Sequence, residues 1–215
     1  MRCLPIIALL LGMFSAGAHA HDWWIHAHPV HPAPGSEVRL AIGGGHSFPE
    51  SEELLAARLL AQTVLTGPDT EVPLDFAADN KQHVAAYTLQ RKGVYRADFH
   101  VQRPGDEAPL IAGRALVVAG AADDPAAYAA NDGLEIVPLK PVSDWRAGGE
   151  VPLEVRSDGE VVASMIRLER ATGRPVRMRS APGRPAVFRH WQAGPSLFIT
   201  EYRGQTATLT VWTEE

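Results

Sequence analysis

Residues 93–101 read GVYRADFHV. Tyr95, Ala97, Phe99 and Val101 alternate with Arg96, Asp98 and His100, a period of two that turns one side of an extended chain toward a core and the other outward. The entry Gly93-x-Tyr95 has the form of a sandwich strand whose tyrosine hydroxyl ties down a corner. The same rhythm recurs in SEVRLAIGGG (36–45), with Val38, Leu40 and Ile42 on one face and Glu37 and Arg39 on the other. It returns in GRALVVAG (113–120), in VPLEV with Val151, Leu153 and Val155 inward, and in VVASMIRLER, AVFRHW, SLFITEY and TATLTVWT. Gly, Pro, Asn and Asp clusters separate these runs, and Asp158-Gly159 is a hairpin-turn signal. The pattern predicts an all-β protein of two β-sandwich units.

One stretch departs from the rhythm. In FPESEELLAARLLAQ, Ser51 can cap a helix, Glu52 and Glu53 suit its N-terminus, and Leu55, Leu59 and Leu60 form a partial stripe, predicting a short helix over 52–61. The units are expected at 21–120 and, smaller, at 134–215, joined by a linker at 121–133 whose AADDPAAYAANDG is small and polar. Asp123 and Asp124 read there as solvated charges.

The chain opens MRCLPIIALLLGMFSAGAHAHDWW. Arg2, an apolar run from Leu4 to Phe14 and small residues ending in A-x-A read as a secretion signal over 1–20, giving a periplasmic expectation. Cleavage at Ala18-His19-Ala20 would leave His21 first; the overlapping Ala16-Gly17-Ala18 would leave His19 first and fits the spacing from the apolar core less well. Cutting at His21 removes the sole cysteine, Cys3, and leaves 19 Lys and Arg against 25 Asp and Glu. No later segment is long and apolar enough to span a bilayer. The mild acidity, with Lys and Arg scattered, argues against nucleic acid as a partner.

Five histidines fall within residues 16–31. A first-position His21 would chelate through its α-amine and ring Nδ1, groups that titrate near ~7.7–8.0 and ~6.5 and so give up protons to a metal at modest cost. His46, after Gly43-Gly44-Gly45, could add a third nitrogen, because the glycines let the backbone turn and a loop end presents side chains. In an extended DWWIHAHP, His26 and His28 share a face with Asp22 and Trp24, their Cα atoms ~6.5–7 Å apart. Trp23 and Ile25 would anchor the opposite face. Nitrogen donors suit nickel, cobalt, copper and zinc. His83, His100 and His190 stand among non-ligand neighbours and read as surface or hydrogen-bonded side chains.

HDWWIHAHP, PAPGSEVRL, GGGHSFPE, GVYRADF and GLEIVPLKPV together resemble a bacterial periplasmic family known mainly as a domain of unknown function, some of whose members are extracytoplasmic components of nickel or cobalt uptake transporters. The resemblance implies an exported pair of immunoglobulin-like sandwiches that handles transition metals, and it singles out His21, Asp22, Trp23, Trp24, Gly45, His46, Phe48 and Pro49. The membrane helix of transporter-fused relatives is missing, and SDGEVVASMIRLERATG follows the pattern loosely.

The leading expectation is therefore a periplasmic nickel-, cobalt- or copper-binding protein that is not an enzyme, a carrier or accessory to a membrane metal transporter, with His21, His46, His26 and His28 as ligands. The alternatives are a copper oxygenase using a histidine brace and a structural or adhesive sandwich module without metal. No nucleophile elbow or phosphate loop is present in the sequence.

Overall fold

The computed structural model describes residues 21–120, 123–189 and 192–213; the expected signal peptide and His190 lie outside these. The first unit contains β1 (Asp22–His28), β2 (Glu37–Gly45), β3 (Leu60–Gly67), β4 (Thr70–Pro73), β5 (Ala77–Asp79), β6 (Gln82–Thr88), β7 (Gly93–Val101) and β8 (Ile111–Ala119). The second contains β9 (Leu134–Pro138), β10 (Glu150–Ser157), β11 (Glu160–Val161), β12 (Ser164–Arg170), β13 (Val176–Ser180), β14 (Ala186–Arg189), β15 (Gly194–Tyr202) and β16 (Gln205–Thr213). The protein is all-β, a pair of β-sandwich units, and no described helix is long and apolar enough to cross a membrane.

The units share a sheet. Eight strands run in the order β13-β12-β15-β16-β8-β7-β3-β4, and the join between units is a parallel pairing of β16 with β8, from Thr206 opposite Ile111 to Thr210 opposite Ala115. The sheet β1-β2-β6-β5 accompanies the first unit, and β10, paired with β9, β11 and β14, accompanies the second. Alternation on β7 and β8 then serves two cores at once. Tyr95, Ala97, Phe99, Ala115 and Val117 enter the first unit's core, while Val94, Leu116 and Val118 join Leu153, Phe188, Phe198 and Leu209 in the second. Full burial of a side chain of this size contributes ~1.5–3 kcal/mol.

Local signals hold where they depend on local chemistry. The Tyr95 hydroxyl donates to the Arg91 carbonyl at 3.0 Å and accepts from the Arg91 amide at 3.1 Å, closing the corner. Asp158 and Gly159 turn with φ of 52° and 82°, the left-handed pair a tight hairpin requires.

The helix expected over 52–61 is not formed; only a single 3-10 turn at Ala57–Leu59 appears, and β3 begins at Leu60. Ser51 does not cap a helix. Its hydroxyl donates to the Lys81 carbonyl at 2.7 Å and accepts from the Gly44 amide at 3.0 Å, while the Glu52 amide donates to the Gly44 carbonyl at 2.8 Å. These bonds staple the segment to the end of β2, and a few leucines cannot offset them when a helical turn has so little else to bury.

The polar face of β7 is covered rather than outward. Asp98 accepts from Arg114 Nε at 2.6 Å, and Arg114 Nη1 donates to Glu135 at 2.7 Å and to the Tyr128 carbonyl at 2.9 Å. Glu135 also accepts from the amides of Ala130 and Asn131 at 2.8 and 3.1 Å. Burial works against the charge on Arg114, but Asp98 and Glu135 outweigh it and hold the guanidinium pKa above its ordinary value. Tyr128 is fully buried beside the network; its hydroxyl donates to Asp123, which also accepts from the Ser143 amide at 2.7 Å. Within the segment expected as a linker, Asp124 is exposed as expected, whereas Asp123 and Tyr128 are engaged by the packed units.

Arg114→Met would strand two carboxylates in a desolvated site, and loss of one partner of a buried ion pair costs ~3–5 kcal/mol. Urea unfolding should show that loss; a change below ~1 kcal/mol would mean that the network is not holding the units.

Candidate functional site

Strand β1 lies on β2 in antiparallel register from Asp22 opposite Gly45 to His28 opposite Arg39. The sequence suggested one packed face and one exposed face. Both are occupied: Ile25 and Ala27 enter the first unit's core, and Trp24 packs with Phe48, Leu197 and Ile199. Trp24 and Phe48 meet edge-on with centroids 5.4 Å apart, and Thr208 Oγ1 donates to the Trp23 carbonyl at 3.0 Å. Strand β1 is a spacer between two layers.

This position sets the fate of each histidine. His26 sits on the Trp24 face, its Nδ1 buried without a hydrogen-bond partner among the described residues. Desolvation, then the nearby charges of Arg39 and His28, lowers its pKa to about 4. His28 is exposed at the strand end, with its ring 6.3 Å from that of Trp212. His21 and His46 do come together, their rings edge-on with centroids 4.4 Å apart. His21 Nδ1 is engaged by Glu53, and His46 Nδ1 faces Glu52 at 3.2 Å. Glu52, bound first by the Ser47 side chain and then by the His46 amide and ring, is held down to about 2. Glu52 and Glu53 therefore serve these histidines and not a helix start.

The glycines before His46 are packing positions, not a hinge. The Trp23 ring lies on Gly44, where a Cβ would come within 2.2 Å of it. Only hydrogen at that position lets β1 and β2 stay in register. His83 is buried and bonded through Nε2 to the Leu55 carbonyl at 2.7 Å, and His100 is half-buried on β7.

Beside His21 and His46 opens a cleft of about 610 Å³ whose floor belongs to the second unit. Met165, Arg167 and Glu169 of β12, Arg177 of β13 and Glu201 of β15 line it, with Asp22 on the β1 side. Arg167 reaches Asp22 at 2.7 Å and Glu169 at 3.1 Å. Burial nonetheless raises both carboxylates above their ordinary pKa, against the pull of Arg167. The cleft is thus a charged seam that fastens the first strand to the second unit. Alternation in SMIRLER already places Met165, Arg167 and Glu169 on one face; what that face meets lies more than 140 residues away.

No family model and no curated protein matches the sequence. Among solved structures, the chain is similar to the Escherichia coli adhesin FdeC, at 14% identity and TM-score 0.30, covering 91% of this chain and 66% of that one. It is also similar to the Yersinia pseudotuberculosis adhesin InvE, at 11% identity and TM-score 0.29, covering 90% and 59%, and to the D0-D1 domain of intimin, at 8% and 0.28, covering 91% and 100%.

The metal-carrier expectation is corrected. Among the described residues no group of three or more His, Cys, Asp or Glu side chains is placed to hold a metal ion. The physical reason is visible at each proposed ligand: His21 Nδ1, which a terminal chelate needs, faces Glu53; His46 faces Glu52; His26 is half-buried on β1 with its Nδ1 shielded from solvent; and His28 stands at its far end. The four histidines are thus not one ligand set: His21 and His46 meet, while His26 and His28 lie further along β1.

His26 makes the fold acid-sensitive. Its folded pKa of about 4 lies below the ordinary 6.5, so the unfolded chain binds the proton more readily. Its contribution is full above pH ~6.5 and is lost as pH falls toward ~4, whereas the raised Asp22 and Glu169 act in the opposite sense. His26→Leu should flatten the decline in melting temperature over that window; an identical slope in wild type and variant would remove His26 as its source.

Proposed function

We propose that the chain is an exported, non-catalytic β-sandwich module that presents surfaces to protein partners and carries no resident metal. The observation that carries this reading is the use of the histidine-rich strand β1 as a structural spacer, with Trp24, Ile25 and Ala27 buried and His21 and His46 each facing a glutamate. A carrier needs ligands that open to exchange, whereas these positions are consumed by packing and pairing. Export to the periplasm rests on Arg2, the apolar run and the A-x-A at Ala18–Ala20.

The reading is tested by thermal melting of protein exported so that it begins at His21, after chelation and with nickel, cobalt or copper added. A site filled at ~100 times its Kd stabilises by ~2.7 kcal/mol, worth roughly 5–10 °C for a chain of this size. The expected result is no shift with any of the three. A saturable rise with one of them would overturn the proposal.

A further inference from the structure

The arginines, taken as scattered from the sequence, are concentrated in the structure. Residues 167–189 hold seven Arg, no Lys and a single acid, Glu169, leaving 13 basic against 24 acidic side chains in the rest of the chain. Arg167 is engaged by Asp22 and Glu169, Arg189 faces Glu150 at 3.4 Å, and Arg170 is half-buried. Arg174, Arg177, Arg179 and Arg184 are exposed and make no ion pair among the described residues.

These four follow one structural feature. Arg177 and Arg179 lie on β13, Arg174 precedes it and Arg184 follows it. β13 is the outermost strand of the eight-stranded sheet; it pairs with β12, and no described strand pairs with its other edge. An unpaired edge offers alternate N–H and C=O groups to an incoming strand. At the opposite end of the sheet, β4 has four residues and ends in Pro73.

We infer that the β13 edge is a docking site for an extended acidic peptide segment of a partner protein, which adds as a further strand and sets carboxylates against Arg177 and Arg179. Arg177 and Arg179 are two residues apart, so they share a face ~6.5–7 Å apart, the spacing of alternate side chains on an added strand. Arg174 and Arg184 extend the cationic row past both ends. Met178, between the two arginines in sequence, and Met165, opposite Arg179 on β12, are 37% and 49% exposed. Flexible thioethers beside arginines match the composition of protein interfaces. Charged side chains also guard sheet edges against aggregation, but a guard made only of guanidinium repels basic strands and recruits acidic ones.

This inference rests on the structural-module reading and names the chemistry of its partner. The test uses the full exported chain and a short fluorescein-labelled peptide of alternating Glu and Val, with binding read by fluorescence anisotropy. Binding should weaken with added salt. It should fall by about tenfold or more in R177E/R179E, where two ion pairs are replaced by repulsion. The same peptide methylated on alternate backbone nitrogens should bind poorly, because it cannot complete the ladder. R177Q/R179Q, with its melting temperature checked against wild type, keeps the test decisive if charge reversal unfolds the chain, and it should also weaken binding. Failure of the peptide to bind, equal binding by the methylated peptide, unchanged binding by a folded double variant, or tighter binding of a charge-matched sulfated polysaccharide or DNA would each overturn the proposal. A metal-dependent melt would overturn the module reading alone; an indifferent melt with no peptide binding would overturn this edge alone.

Discussion

Arg114 is the constraint from which the arrangement of the two sandwiches follows. A guanidinium buried between sheets is tolerable only if its charge and donors are matched, because the desolvation cost of an unpaired ion is several kcal/mol. Asp98 from β7, Glu135 from β9 and the Tyr128 carbonyl supply that match, so three chain segments must meet at one point. Asp98 and Arg114 are cross-strand partners in the first unit, whereas Glu135 opens the second. A well-packed apolar cluster can be as stable but tolerates sliding; directional charge-assisted bonds fix the second unit against the first.

The shared sheet adds to this. Because β16 pairs in parallel with β8, the alternation of β8 feeds one core with Ala115 and Val117 and the other with Leu116 and Val118. Strand β1 then closes the opposite side, contributing Ile25 to one core and Trp24 to a small cluster on β15. Burial on both faces explains why a histidine-rich segment adopts a regular strand. It also explains the electrostatics nearby: Asp22, Glu169 and His26 all have their charged forms disfavoured by burial.

Charge is distributed unevenly around this frame. Carboxylates gather at the β1 end, where Glu52 and Glu53 face His46 and His21, and Arg167 spans to Asp22. The arginines of 174–184 follow the outer strand of the eight-stranded sheet, and Arg177 reaches the cleft that His21, His46 and Asp22 also line. A chain of modest net charge thus gathers four exposed arginines along and beside one strand edge. Such a local concentration of one sign of charge favours the approach of an oppositely charged partner.

The sequence by itself determined what depends on neighbours along the chain. Period-two alternation located most of the longer strands, with β7 at its stated limits, and the Tyr95 corner and Asp158-Gly159 turn followed from local bonding and left-handed φ. It also brought His21 and His46 forward, and their rings do meet. Tertiary structure alone decided the rest. Alternation gives two faces but not what each face meets; for β1 the supposed open face met Leu197 and Ile199, and for β7 the supposed outer face met Arg114 and the segment around Tyr128. A helix pattern over 52–61 lost to hydrogen bonds from Ser51 and Glu52 to residues of other strands. Strand pairing is non-local, so the partners that bury a histidine, set a glutamate against it or leave an arginine edge open are set by contacts that no window along the chain contains.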